Sequence, residues 1–351
     1  MLLFAMLWMV SCSNDATPGI SSDVEITFGL ANSDEWNDIQ ESRAVIVNKA
    51  ELANKGFGVF AYYAKETPDF MNNTKVYSTN GGTKWTYSPV KYWPNNKNDK
   101  LSFFAYAPYN ANTTIEGSKI NFTVNETVKN QVDLMWSKTN TVNLTRTDNA
   151  ISMHFLHALS KIGFTAQANI EGSTSTAKVN IRVKKLVLTS STDTDGTATT
   201  GPFYMEGTLD LRNTANSALW TETTTTGRKF SFDYSNFKGA PDTGFLLTKD
   251  DNGTPKQLNA DDSYVMIIPQ DLSSTGFNVY VEYEVRLERA NPAVYESYTN
   301  KRTGTVKFNF EAGKAYTLNL IFGLDEFTID DTIRVVPWTG EAEVEINGMV
   351  P

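Results

Sequence analysis

The chain has 351 residues, with 31 Lys and Arg against 40 Asp and Glu, for a formal net charge of −9. That balance offers no broad cationic face for phosphates and excludes nucleic acid as a natural partner. At about 100–200 residues per domain the length favours two domains. Hydrophobic residues make up 40% of the chain, which argues against general disorder. The abundance of Thr, Ser, Asn, Tyr, Phe and Val predicts an all-β protein.

Residues Met1 to Val10 (MLLFAMLWMV) are apolar throughout. Ten such residues are too few for a bilayer, which takes about 20 in a helix. They resemble the apolar part of a secretory signal peptide, and Ser11 stands before the only cysteine, Cys12. This arrangement resembles a bacterial lipobox, in which the cysteine becomes the lipidated first residue. Met9 stands where leucine is usual, and no Lys or Arg precedes the apolar run. The expected division is a lipoprotein signal peptide over 1–12 and a flexible tether over 13–23, rich in Ser, Asn, Thr, Pro and Gly. A single cysteine allows no intrachain disulfide, so stability must come from packing.

From Val24 onward the dominant period is two. Val24, Ile26 and Phe28 alternate with polar neighbours, as do Val179, Ile181 and Val183. A longer series runs through Phe277, Val279, Val281, Tyr283, Val285 and Leu287. Only Asn48 to Lys55 has a helical pattern, closed by Gly56. Val306, Phe308 and Phe310, then EAGK, then Tyr316, Leu318, Leu320 and Phe322 predict a hairpin turning at Gly313. Regularly spaced strands and turns suggest β-sandwiches, with one domain over 24–157 and a second over 158–351.

The chemistry-bearing residues are sparse. His154 and His157, the only histidines, form H-x-x-H, which on a strand sends them to opposite faces. No second cysteine or third histidine completes a zinc site, and no G-x-S-x-G elbow supports a serine triad. No catalytic residue, cofactor or metal site is expected. Acidic pairs such as Asp193 with Asp195 and Asp250 with Asp251 lack the regular calcium-loop pattern and read as solvated turns. Trp85, Tyr87, Tyr92 and Trp93 open an aromatic run that leads into Leu101, Phe103 and Ala105. Such a run is either sheet core or a stacking platform for sugars.

Several segments together resemble a known family: FGVFAYY at Phe57 to Tyr63, WTY and YWP between Trp85 and Pro94, LSFFAYAPY at Leu101 to Tyr109, HALSKI at His157 to Ile162, and VVPW at Val335 to Trp338. Their order and spacing resemble the Bacteroidetes fimbrillins, the Mfa-like pilin and adhesin lipoproteins. The resemblance implies two tandem transthyretin-like β-sandwich domains, export as an outer-membrane lipoprotein, and assembly into surface fimbriae with other fimbrial subunits. It also implies a trypsin-like protease cutting after an arginine near the start of the first domain. Arg43 in ESRAVIV matches that position, leaving Ala44 first. The cut would displace the strand of Val24, Ile26 and Phe28 and open an apolar groove with unpaired backbone. Ala342, Val344 and Ile346, alternating with glutamates, make the C-terminus either a donor strand or an ordinary last strand. An adhesive subunit would also take a host or bacterial surface ligand. The alternative is a surface glycan-binding lipoprotein using Trp85, Tyr92, Trp93 or Trp220 as a stacking platform.

Overall fold

The computed structural model describes residues 23–31, 49–63, 68–138, 141–172, 174, 177–213, 215, 217–221, 227–235, 244–258, 264–290, 293–338 and 344–347. The protein is all-β, with its described strands in six sheets of two to seven strands and none closed. Among the described residues the α-helix is confined to Lys49–Lys55, which buries Leu52 and Ala53. It stops at Gly56, whose φ of +74° suits glycine and whose N–H donates to Leu52 O at 2.7 Å.

The N-terminal half is built on a five-stranded antiparallel sheet. Its spatial order is Met71–Val76, Phe57–Tyr63, Leu101–Ala107, Met135–Ser137 and Phe155–His157. Both faces of this sheet are covered. Phe57, Val59, Ala61, Leu101, Phe103, Ala105 and Met135 pack into one hydrophobic cluster, while Phe60, Tyr62, Phe104, Tyr106 and Trp136 pack into another. A strand buried on both sides cannot alternate apolar with polar, which is why FGVFAYY and LSFFAYA are nearly continuous apolar runs.

The C-terminal half centres on two parallel strands, Ser160–Asn169 and Lys314–Gly323, paired from Lys161–Ala315 to Asn169–Gly323. Thr332–Pro337 and then Val344–Asn347 extend this sheet in antiparallel fashion. A second sheet holds Ala177–Ser190 against the long hairpin of Phe277–Ala290 and Ala293–Val306. The predicted alternation at 277–287 places Phe277, Val279, Val281, Tyr283 and Val285 in the core. On the neighbouring strand the phase changes once. Ile181 and Val183 face the core, a bulge follows between Val183 and Lys185, and Leu186 and Leu188 then take the inward positions.

The hairpin expected at Glu311–Lys314 is not formed. Asn309–Phe310 pairs with Gln270–Asp271, whereas Lys314–Gly323 lies beside Ser160–Asn169. Gly313 does turn the chain, at φ +69°, but its N–H donates to Leu159 O and its carbonyl accepts from Trp338 N, each at 2.9 Å. The glycine therefore marks a corner between sheets. Antiparallel alternation on either side of a turn is compatible with both outcomes, and the contacts of Leu159 and Trp338 select the corner.

Several contacts join the halves. Lys119–Thr123 pairs with Glu206–Asp210. The Gln131 amide donates to Met266 O at 3.1 Å and accepts from Met266 N at 2.7 Å, acting as a short strand mimic. Because Phe104 lies on the face shared with the larger cluster, Phe104→Ala should destabilise the whole protein by about 3–5 kcal/mol. Tyr92→Ala, at a side chain 48% exposed, should change stability by less than about 0.5 kcal/mol. Denaturant unfolding of both variants checks the contrast.

Candidate functional site

The segment Val24–Leu30 is seated between two parts of the N-terminal half. On one side Ile26 N donates to Lys91 O and Trp93 N donates to Val24 O, both at 2.9 Å. On the other, Phe28–Leu30 runs parallel to Ile151–Met153, with Ile151 N donating to Thr27 O at 2.7 Å and Ala31 N donating to Met153 O at 2.8 Å. The Tyr87 hydroxyl donates to Ile26 O at 2.7 Å. Ile26 and Phe28 are buried, and Val24 is half-buried. Phe28 is the hub of an aromatic group, edge-on to Phe57 at 6.3 Å, Tyr87 at 5.5 Å and Phe103 at 5.9 Å. The leading segment thus completes the smaller core.

The remaining expected positions are placed unequally. Cys12, Arg43, Ala44 and Ala342 lie outside the described residues. Val344 and Ile346 belong to a four-residue strand on Thr332–Pro337, in register Val335–Val344 to Thr332–Asn347. Within the chain these residues pair along one edge of that sheet.

The stacking platform is not assembled. Trp85 and Trp93 are 8% and 3% exposed, tilted against Phe57 and edge-on to Phe103 respectively. Trp220 is half-buried, packs on Phe122 and donates its indole N–H to Ala158 O at 2.7 Å. Only Tyr92 of the four is exposed. The indoles serve the fold because the apolar leading segment and the two-faced sheet supply surfaces for them to cover.

His157 and His154 are separated in role. His157 is buried, with Nδ1 3.0 Å from the Asp133 carboxylate and its ring stacked on Trp338 at 4.3 Å and 4°. The Lys161 ammonium lies 4.0 Å from the centre of the Tyr264 ring and 5.5 Å from that of Trp338. The HALSKI and VVPW segments, about 180 residues apart in sequence, therefore meet in one seam. Half-exposed His154 sits between the strands Ile151–Met153 and Phe155–His157. Among the described residues no group of three or more His, Cys, Asp or Glu side chains is placed to hold a metal.

The acidic loops build turns. Burial works to raise the Asp193 pKa, but hydrogen bonds from Thr189, Ala198 and Asp195 outweigh it and hold the group at about 2. Asp251 is likewise held low against burial by Lys256 and Thr248, with the ammonium 2.5 Å from its carboxylate.

Among the described residues, then, the conspicuous arrangement is a strand seat in an all-β protein with two hydrophobic clusters. A fimbrillin-like family model matches residues 42–338, and the chain belongs to that family. Over 119 residues it is 30% identical to the fimbrium subunit Fim1C of Phocaeicola vulgatus, a match covering 31% of this chain and 30% of that protein. The matched stretch thus spans less than a third of that relative. A fimbrial protein of Bacteroides vulgatus shares the fold, with a TM-score of 0.69 at 19% identity, covering 90% of this chain and 99% of that one.

Lys161 gives the seam a pH dependence. Burial pushes its pKa down to about 8, against a smaller opposing pull from Asp133. The unfolded chain keeps the proton to about pH 10.4. Between those values the unfolded state binds more protons, so stability rises with pH. The melting temperature should climb from about pH 8 to about pH 9.5, and Lys161→Met should abolish the climb. Superimposable wild-type and variant slopes would contradict the assignment.

Proposed function

We propose that the protein is a structural or adhesive subunit of a cell-surface fimbria, assembled through proteolysis-triggered strand exchange. Membership of the fimbrillin-like family and the shared fold with a solved fimbrial protein support the fimbrial reading. The observation that carries strand exchange is the seat of Val24–Leu30, where an N-terminal strand supplies core side chains and backbone partners from one end of the chain.

In this reading the precursor reaches the outer membrane as a lipoprotein anchored through Cys12. A trypsin-like protease cuts after Arg43 and releases the anchor together with the leading strand. Loss of Ile26 and Phe28 removes about 1.5–3 kcal/mol of apolar burial each, and it strands the backbone groups of Lys91, Trp93, Ile151 and Met153. An incoming strand restores both terms. Main-chain bonds supply affinity and alternate side chains supply register, so the replacement need not share the sequence of the original.

The proposed donor is the C-terminal strand with Ala342, Val344 and Ile346, from another copy or from another fimbrial subunit. In the monomer Val344–Asn347 is held at a sheet edge by four register pairs, a small ladder to give up. The body then comprises two transthyretin-like sandwiches, 24–157 and 158–351. The smaller cluster draws only on residues before 158, while the larger one draws on both sides of that boundary. A subunit in an adhesive position would also present a surface to a host or bacterial ligand. No active site is required.

The test is limited digestion of the anchor-free chain with a trypsin-like protease, followed by N-terminal sequencing and electrophoresis of unboiled samples. The expected result is Ala44 as the new first residue with a heat-sensitive ladder of multimers, both lost in Arg43→Ala. A chain that stays intact, or that is cut at Arg43 and remains monomeric, contradicts self-assembly by strand exchange.

A further inference from the structure

We propose that the groove beside Tyr109 is a binding site for a neutral saccharide. The groove encloses about 620 Å³, within the range of about 300–1,000 Å³ usual for small-ligand sites. Its floor is apolar, formed by buried Leu134 and Ile120, and half-buried Tyr109 and Phe122 present aromatic surface. Exposed asparagines and threonines complete the lining, Asn112 and Asn130 among them.

The decisive feature is charge. Charged residues make up 20% of the chain, yet none of the sixteen residues lining this groove is charged; the Lys75 ammonium, outside the lining, lies 5.4 Å from the centre of the Tyr109 ring. The second groove of similar volume, about 650 Å³, contains Asp99, Lys100 and Arg212. Phosphates, carboxylates and basic peptides gain most from ionic hydrogen bonds, and this lining offers them none. Sugar hydroxyls both donate and accept, and side-chain amides and hydroxyls match them in both senses. The apolar C–H faces of a pyranose suit aromatic rings. Amide, hydroxyl and aromatic groups without charge together select a neutral sugar.

The wall is built in advance of any ligand. The Asn73 side-chain amide donates to the carbonyls of Asn110 and Thr113, each at 2.9 Å. The single Tyr106 hydroxyl hydrogen is shared between Asn73 Oδ1 and Asn110 O, each 2.8 Å from the hydroxyl oxygen, which accepts from Asn110 N at 3.2 Å. Gly58 makes room for that ring, since a Cβ there would lie 2.4 Å from Tyr106 Cε1. Preformed walls reduce the ordering cost of binding. The site is separate from the strand seat and does not depend on strand exchange.

The test uses the anchor-free chain on an array of neutral and of sialylated or sulfated oligosaccharides, with calorimetry on any free glycan retained. Neutral glycans should be retained, and Tyr109→Ala and Asn112→Ala should each weaken binding about tenfold, the Asn112 variant, at an exposed side chain, keeping the wild-type melting temperature. Tyr92→Ala, outside the groove, should bind as the wild type does. Retention of acidic glycans only, no retention, or unchanged affinity in both groove variants would overturn the proposal. Protease-triggered multimer formation by Tyr109→Ala, measured on the same sample, reports on strand exchange independently.

Discussion

Phe28 imposes the constraint on which the rest of the N-terminal half depends. Its ring touches Phe57, Tyr87 and Phe103, so the core is closed only while a strand occupies the space between Lys91–Trp93 and Ile151–Met153. A terminal segment in that place is unusual in its consequences. The energy it contributes comes from generic apolar burial and main-chain hydrogen bonds, which another strand can reproduce. In the proposed strand exchange, the same features that tie the leading segment to the core would let another strand take its place.

The second constraint is the two-faced sheet. Phe60, Phe104, Tyr106 and Trp136 carry the N-terminal sheet into the larger cluster, and Gln131, Asp133 and His157 join it to Met266, Lys161 and Trp338. Displacement of the leading strand would open one face while the other stays packed. The parallel pair Ser160–Asn169 and Lys314–Gly323 runs from the seam across the C-terminal sheet.

Much of the architecture was legible because it depends on local alternation. The series Phe277 to Val285 reads as a strand with an apolar inward face and has one, although Asn278 and Tyr280 on the other face are buried too, and the Lys49–Lys55 helix ends where Gly56 permits. The corner at Gly313 was not legible, since a glycine turn between alternating runs fits a hairpin equally well and the choice lies with distant Leu159 and Trp338. The parallel pairing across more than 140 residues leaves no local pattern. Trp85 and Trp93 illustrate the ambiguity of aromatic runs, because burial depends on partners such as Phe57 and Phe103. The Tyr109 groove was hidden for a related reason: its lining comes from neighbouring loops and strands whose shared lack of charge appears only in three dimensions. His157 and Trp338 could have been paired only by asking why two short motifs so far apart both matched one family.

Intermolecular disulfide trapping tests strand exchange most directly. Met153, the register partner of Leu30 in the seat, is changed to cysteine in one anchor-free batch, and Ile346 is changed to cysteine in another. The two are mixed, cut with a trypsin-like protease, oxidised and run without reductant. Strand exchange predicts a cross-linked species that forms in the mixture, requires the cut, and is absent when Arg43→Ala is introduced into the Met153→Cys chain. A mixture that is fully cut yet gives no cross-link, or one that cross-links equally before cutting, would contradict occupation of the vacated seat by a neighbouring C-terminal strand.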